Sequence, residues 1–405
     1  MTIGATIVRT IGALWNVAGL IVAAIIVFEF GVSGARRVLR RLRHGASGKP
    51  DDRALADAYE GADWPHAYFA ELSDYIRLEW APFTHWRQRP YRGAYFNIDD
   101  RCFRATPGER DADAGAIRVF CFGASTMVGI GARDDATIPA IWQRRLAASG
   151  RRVSVTNCAQ LAYNSSQEMI ELQALLRRGD VPDVAVFYDG IADLAGAEWA
   201  GRAGAILSEE VRRAEFNLLR EERRGDLHRA ALVALMPRTL RRLRQWTGLA
   251  LEGPLPLSSG VRLRADDIPE LARAVIELYA ANVRMVRAVA REYGFMALFF
   301  WQPVITTKKI KSRDEVKWEA SLSVDVEMRR RLHAAAIEER RRHPDLARQP
   351  DVFDLSSLFD DYGPPLYIDL AHLSEPGNVA VAEAAFPAVA AAVAKAEARR
   401  AAYRS

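Results

Sequence analysis

The chain has 405 residues, half of them hydrophobic and 26% charged, with a formal net charge of +5. This is globular composition and excludes a disordered chain or a collagen. Three cysteines (Cys102, Cys121, Cys158) without a C-x-x-C pair exclude a disulfide framework and a cysteine zinc site. The positive excess is local: five arginines fall within residues 36–43, and others sit around 238–244. No nucleic-acid recognition motif accompanies them, so nucleic acid is not expected as a partner. At roughly 100–200 residues per domain, the length allows two or three domains, or one large one with insertions.

Residues 11–28 read IGALWNVAGLIVAAIIVF, a run without charge. A spanning helix needs about 20 apolar residues, and continuing to residue 32 reaches that length. A cleaved signal peptide would have a shorter apolar core and a small-x-small site; here a basic stretch follows instead. The expectation is a single-pass membrane anchor through residues 11–32, within an N-terminal segment 1–44. The arginines after the span place the C-terminal bulk in the cytoplasm by the positive-inside rule.

Residues 45–115 read as a linker followed by an aromatic-rich collar, with Trp64, Tyr68, Tyr75, Trp80 and Trp86. From residue 116 strands and helices alternate. The strand runs are 117–122 (IRVFCF), 153–156, 184–188 (VAVFY), 296–301 (MALFFW) and 352–355. Helices are expected over 139–148, 167–178, 268–293, 324–342 and 379–398, the third with apolar residues at helical spacing and Gly294 as its cap. Residues 205–250 read as an arginine-rich helical insertion, and 366–368 as strand-like. Alternation of this kind implies βαβ units: an α/β fold of three αβα layers around a central parallel sheet, over about 116–398.

In such sheets chemistry collects at the carboxyl ends of the strands. After the first strand stands Gly123-Ala124-Ser125-Thr126. Its serine is either a nucleophile beside an oxyanion donor or a helix N-cap. After the second stands Asn157-Cys158-Ala159-Gln160, and after the third Asp189-Gly190-Ile191-Ala192-Asp193. Near the C-terminus Asp369 precedes His372 by three residues, a spacing at which a carboxylate can orient an imidazole that takes a serine proton. Gly129-Ile130-Gly131 lacks the remaining glycines of a dinucleotide loop, and no Walker A sequence occurs. No group of histidines and carboxylates has metal-ligand spacing.

In this order the pieces resemble the SGNH/GDSL hydrolase superfamily: FGAST at 122–126, NCAQLAYNSSQ at 157–167, PDVAVFYDGIADL at 182–194 and YIDLAHLSEPGN at 367–378. The resemblance implies Ser125 as nucleophile and His372 as base, oriented by Asp369. It implies oxyanion donors at the Ser125 N–H, at a block-two glycine position matched by Ala159, and at a block-three asparagine position matched by Ala192. An alanine side chain donates nothing, which leaves Asn164 as a substitute donor. The implied function is a membrane-anchored serine esterase or acyl-transferring hydrolase acting on acyl esters of small molecules or glycans, acetyl esters among them. No metal or organic cofactor is implied. The resemblance places the domain outside the cytoplasm, against the arginine count. The alternative is a weakened or inactive member kept as a binding or scaffold module in a membrane assembly. A third reading is an adaptor that uses the 205–250 segment at a membrane surface.

Overall fold

The computed structural model describes residues 51–75, 78–109, 115–220, 261–321 and 325–404. The expected anchor at 11–32 and most of the expected insertion at 205–250 lie outside these residues. One compact unit comprises residues 50–207 and 260–405; a second gathers 1–49 and 208–259. In the second, the described helix is Glu209–Arg220.

The first unit opens with two 3₁₀ turns, Asp52–Leu55 and Asp57–Tyr59. Helix α1 (Pro65–Tyr75) follows, then the two-stranded ribbon β1 (Tyr91–Arg92) and β2 (Asn97–Ile98). Next come β3 (Ile117–Gly123), α2 (Ser125–Val128), α3 (Ile138–Ala148), β4 (Val153–Asn157), α4 (Ser165–Arg177), β5 (Val184–Asp189) and α5 (Ile191–Ala200). Counting Glu209–Arg220 as α6, the remainder is α7 (Ile268–Tyr293), β6 (Met296–Trp301), α8 (Arg313–Glu319), α9 (Val326–Arg342), β7 (Val352–Asp354) and α10 (Glu375–Arg404).

The five main strands form one sheet in the order β4-β3-β5-β6-β7, every neighbouring pair parallel. Every residue of β4 and β5 is buried, as in a sheet covered on both faces. Strand alternation divides the core in two. Val119, Cys121, Val186, Tyr188 and Phe300 pack with Trp142 and Leu146 of α3 and Val389 and Val393 of α10. Phe120, Phe122, Phe187, Phe299 and Trp301 face α4, α7 and α9 through Leu172, Val275 and Leu332. The result is the expected three-layer αβα architecture. The chain leaves β3 for β4 on one side and later returns to β5 on the other. The cleft above β3 and β5 is therefore the switch point where ligands settle in open α/β sheets.

Two sequence expectations change. Residues 366–368 join no sheet; Tyr367 bridges Leu373, and Ile368 N–H donates to the His372 carbonyl at 3.0 Å, folding the segment back as a tight loop. The last helix is longer than expected. An 18-residue stretch within its Glu375–Ala402 portion has a mean hydropathy of 1.6, and the helix is long and apolar enough to cross a membrane. Here it packs in the core through Val381, Ala385, Val389 and Val393, and the Trp142 Nε1–H donates to its Ala382 carbonyl at 2.9 Å.

The aromatic collar is packed on the loop that follows the sheet's first turn. Arg104 is buried, donates to Asp134 Oδ1 at 2.6 Å and to the Ala132 carbonyl at 2.9 Å, and lies 3.8 Å from the Phe96 ring centroid. Tyr68 Oη accepts from Gly131 N–H at 2.9 Å, and Tyr59 Oη–H donates to the Gly131 carbonyl at 2.5 Å. Gly131 has φ +98°, and a Cβ there would stand 2.2 Å from Ile368 Cδ1. The Gly-Ile-Gly run thus serves close packing between the collar and the His372 loop.

Candidate active site

Strand β3 ends at Gly123, where a Cβ would meet Met127 Cβ at 2.5 Å and the Tyr188 carbonyl oxygen at 3.1 Å. Only glycine lets the chain turn this tightly into α2. The N-cap of α2 is Ala124, and Ser125 is the first helical residue. The cap reading of Ser125 is therefore set aside: its hydroxyl points away from the helix end to His372. The Met127 and Val128 N–H groups both donate to the Ala124 carbonyl. The first N–H groups of a helix have no partner within it, and the Ser125 N–H makes no hydrogen bond among the described residues.

Ser125 Oγ lies 2.7 Å from His372 Nε2, and His372 Nδ1 lies 2.7 Å from Asp369 Oδ2 and 2.9 Å from Oδ1. An ionised carboxylate can only accept. Nδ1 therefore carries its proton toward Asp369, and Nε2 accepts the Ser125 hydroxyl proton. Asp369 Oδ1 also accepts the N–H of Ala371 at 2.9 Å and of His372 at 2.8 Å, closing an Asx turn that fixes the carboxylate. Burial pushes the Asp369 carboxyl up, but the adjacent His372 ring and these backbone N–H groups outweigh it. They hold Asp369 well below the usual carboxylate range.

Two supports of this trio had no signal in the sequence reading. Arg53 Nη1 stands 3.3 Å from Asp369 Oδ2 while its other nitrogens hold Asp51, so a collar residue touches the orienting acid. The fully buried pair Lys308–Glu315 holds the start of the His372 loop. Glu315 Oε1 accepts from Lys308 Nζ at 2.7 Å and from the N–H groups of Leu366 and Tyr367 at 2.9 and 3.2 Å. Lys308 Nζ also donates to the Pro364 carbonyl at 2.8 Å.

The Ala159 N–H and the Asn164 amide, both expected as oxyanion donors, have partners within the fold. The Ala159 N–H is engaged by Asn157 Oδ1 at 3.3 Å, and its carbonyl accepts from Gln88 Nε2 at 3.1 Å. Within this loop the residue with glycine's backbone is Ala162, at φ +58°. Non-glycine residues held in that region concentrate at functional sites. Its N–H makes no hydrogen bond among the described residues, and it matches a block-two glycine better than Ala159 does. Asn164 cannot substitute as a donor. Its Oδ1 caps α4 by accepting the Gln167 N–H at 3.1 Å, and its Nδ2 is directed at the carbonyls of Gly204 and Ala205, each at 3.4 Å. A capping box at the head of a helix explains why asparagine stands there. Ala192 is half-buried in the first turn of α5.

The end of β5 carries a buried acidic group. Asp189 faces Glu168 of α4, with Asp193 and Tyr279 beside them. Asp193 accepts the Ser165 hydroxyl at 2.6 Å, which joins the heads of α4 and α5. Burial, and then the neighbouring Asp189 and Asp193, push Glu168 well above the usual range; burial pushes Asp193 up against its Ser165 hydrogen bonds, and burial with the nearby Asp193 charge pushes Asp189 up to about 7. The folded state thus holds protons that the unfolded chain releases near pH 4. That contribution is full below pH 4 and is lost as pH rises through the raised values. Unfolding free energy from urea titrations is expected to fall as pH rises from about 4 through 7, and Glu168→Gln to flatten that fall. An unchanged slope in the variant would place the pH dependence elsewhere.

No protein-family model and no curated protein matches the chain. Among solved structures, it is similar to the acetyl xylan esterase AlAXEase at 14% identity, covering 67% of this chain and all of that one, with a TM-score of 0.36. A variant of the acetyl xylan esterase Axe2 from Geobacillus stearothermophilus is 12% identical over 66% of this chain and 92% of its own, with a TM-score of 0.29. The SGNH-hydrolase family esterase AlinE4 is 17% identical over 43% of this chain and 96% of its own, with a TM-score of 0.19. At these scores the chemistry has to come from this chain's own side chains.

Proposed function

We propose that the chain is an SGNH-type serine esterase, held at a membrane by residues 11–32, that removes acyl groups from hydroxylated substrates. Acetyl esters of glycans are the favoured class. The observation that carries the reading is the continuous line from Ser125 Oγ to His372 Nε2 and from Nδ1 to Asp369, each step 2.7 Å. In that line Ser125 Oγ attacks the ester carbonyl as its proton passes to Nε2. The tetrahedral intermediate collapses when Nε2 returns the proton to the leaving alkoxide, giving an acyl-serine. Water, deprotonated by the same nitrogen, then releases the carboxylic acid and restores the serine. Asp369 stays ionised and stabilises the imidazolium without taking its proton.

A fluorophosphonate probe tests this on the full chain. Wild-type protein is expected to label at Ser125 by mass spectrometry and Ser125→Ala to remain unlabelled. A folded wild type that stays unlabelled would leave the scaffold reading in possession. The anchor has its own test: protein lacking residues 1–44 is expected to partition to the aqueous phase with its labelling intact, while full-length protein partitions to detergent. Full-length protein in the aqueous phase would remove the anchor from the proposal.

A further inference from the structure

Ala192 leaves the turn after β5 without a side-chain donor, and both ends of the Asn164 amide are occupied. We propose that Gln302 fills this place. Its Nε2 donates a hydrogen bond to the oxyanion that forms on the acyl carbonyl at Ser125, an assignment that rests on the esterase reading above.

Gln302 is the first residue beyond β6. Its N–H donates to the Asp189 carbonyl at 2.9 Å, extending the β5–β6 pairing by one residue and setting Gln302 beside the turn that holds Gly190 and Ala192. Side chains alternate along a strand. Phe300 belongs to the core with Met127, Ile368 and Leu373, and Trp301 to the opposite one. Gln302 therefore returns to the side of the sheet on which the neighbours of Ser125 and His372 pack. There Gln302 Oε1 accepts the Thr126 hydroxyl at 2.8 Å. Thr126 is the residue after the nucleophile, so the amide is tethered one residue from Ser125.

That bond also sets the orientation of the amide. With its oxygen held by Thr126, the amide turns its two Nε2 protons the other way. Gln302 is 2% exposed, yet Nε2 donates to no acceptor among the described residues. An amide fixed at one end and free at the other suits an acceptor that arrives with the substrate. A preset donor of this kind is strongest where charge develops in the transition state. The carboxamide that the family resemblance expects from block three thus enters from β6.

The test uses the full chain, an aryl acetate for steady-state kinetics and fluorophosphonate labelling rates alongside. Gln302→Glu keeps an oxygen for Thr126 and replaces the donor by an acceptor; Gln302→Ala removes both. Each is expected to lower kcat about 100- to 1,000-fold with KM little changed, and to slow labelling in parallel. Ala192→Asn is expected to restore much of the lost kcat in the Gln302→Ala background, because it returns a carboxamide to the same site. A purely structural defect would not be repaired by that change, so failure of the rescue overturns the assignment. Unchanged kcat in Gln302 variants of a wild type that labels overturns it as well. A folded wild type that neither labels nor turns over overturns the esterase reading, and this assignment with it.

Discussion

Asp369→Asn is expected to lower kcat for an aryl ester about 10⁴-fold with KM little changed. The substitution is nearly isosteric, and the Asx turn that accepts the Ala371 and His372 N–H groups at 2.9 and 2.8 Å can persist through the amide oxygen. The second carboxylate oxygen becomes an NH₂ group. That group donates to His372 Nδ1, which moves the ring proton to Nε2, where it faces Ser125 Oγ and blocks proton acceptance. The charge that stabilises the imidazolium is lost at the same time. Fluorophosphonate labelling should slow in step with kcat, since both need the serine proton removed. A change confined to KM would show that Asp369 shapes the binding site and does not set the tautomer.

Breaking the Lys308–Glu315 pair is expected to have the largest effect on stability. Both side chains are fully buried. Glu315→Gln leaves a buried ammonium without its counter-charge, and Lys308→Met leaves a buried carboxylate; each is expected to lose about 3–5 kcal/mol in urea unfolding. The double variant should be less damaged than the sum of the singles by about 0.5–3 kcal/mol, because no charge is then left unpaired. Strict additivity would show that the two groups do not interact. Glu315 also accepts the N–H groups of Leu366 and Tyr367. Glu315→Gln keeps an oxygen for one of these roles but loosens the clamp, so esterase activity should decline below the unfolding transition as well as through it.

The parallel sheet was legible in the sequence because strands buried on both faces need unbroken apolar runs. IRVFCF, VAVFY and MALFFW lie in β3, β5 and β6 of the structure. The strand-like 366–368 segment misled for the same reason. Leu366, Tyr367 and Ile368 are all buried, and burial alone does not tell a strand from a packed loop. Gln302 was within reach of the rule that directs attention to strand ends, but Gln-Pro after an apolar run looks like ordinary turn chemistry.

What the sequence determined by itself was the order of elements and the identity of Ser125, Asp369 and His372 as residues that could share one site. Short spacing suffices for the Asp369–His372 pair, since an Asx turn forms between neighbours three apart; Ser125 joined them only through the family resemblance. The donors around them were decided by the tertiary structure. Whether an N–H is available depends on backbone angles and on competing acceptors: Ala162 has φ +58°, while the Ala159 N–H is directed at Asn157. Asn164 and Gln302 carry the same functional group, yet one caps a helix and the other has its nitrogen free among the described residues. Arg53 reaches Asp369 across 316 positions of chain. Contacts of that range follow from how the layers pack, and no local pattern encodes them.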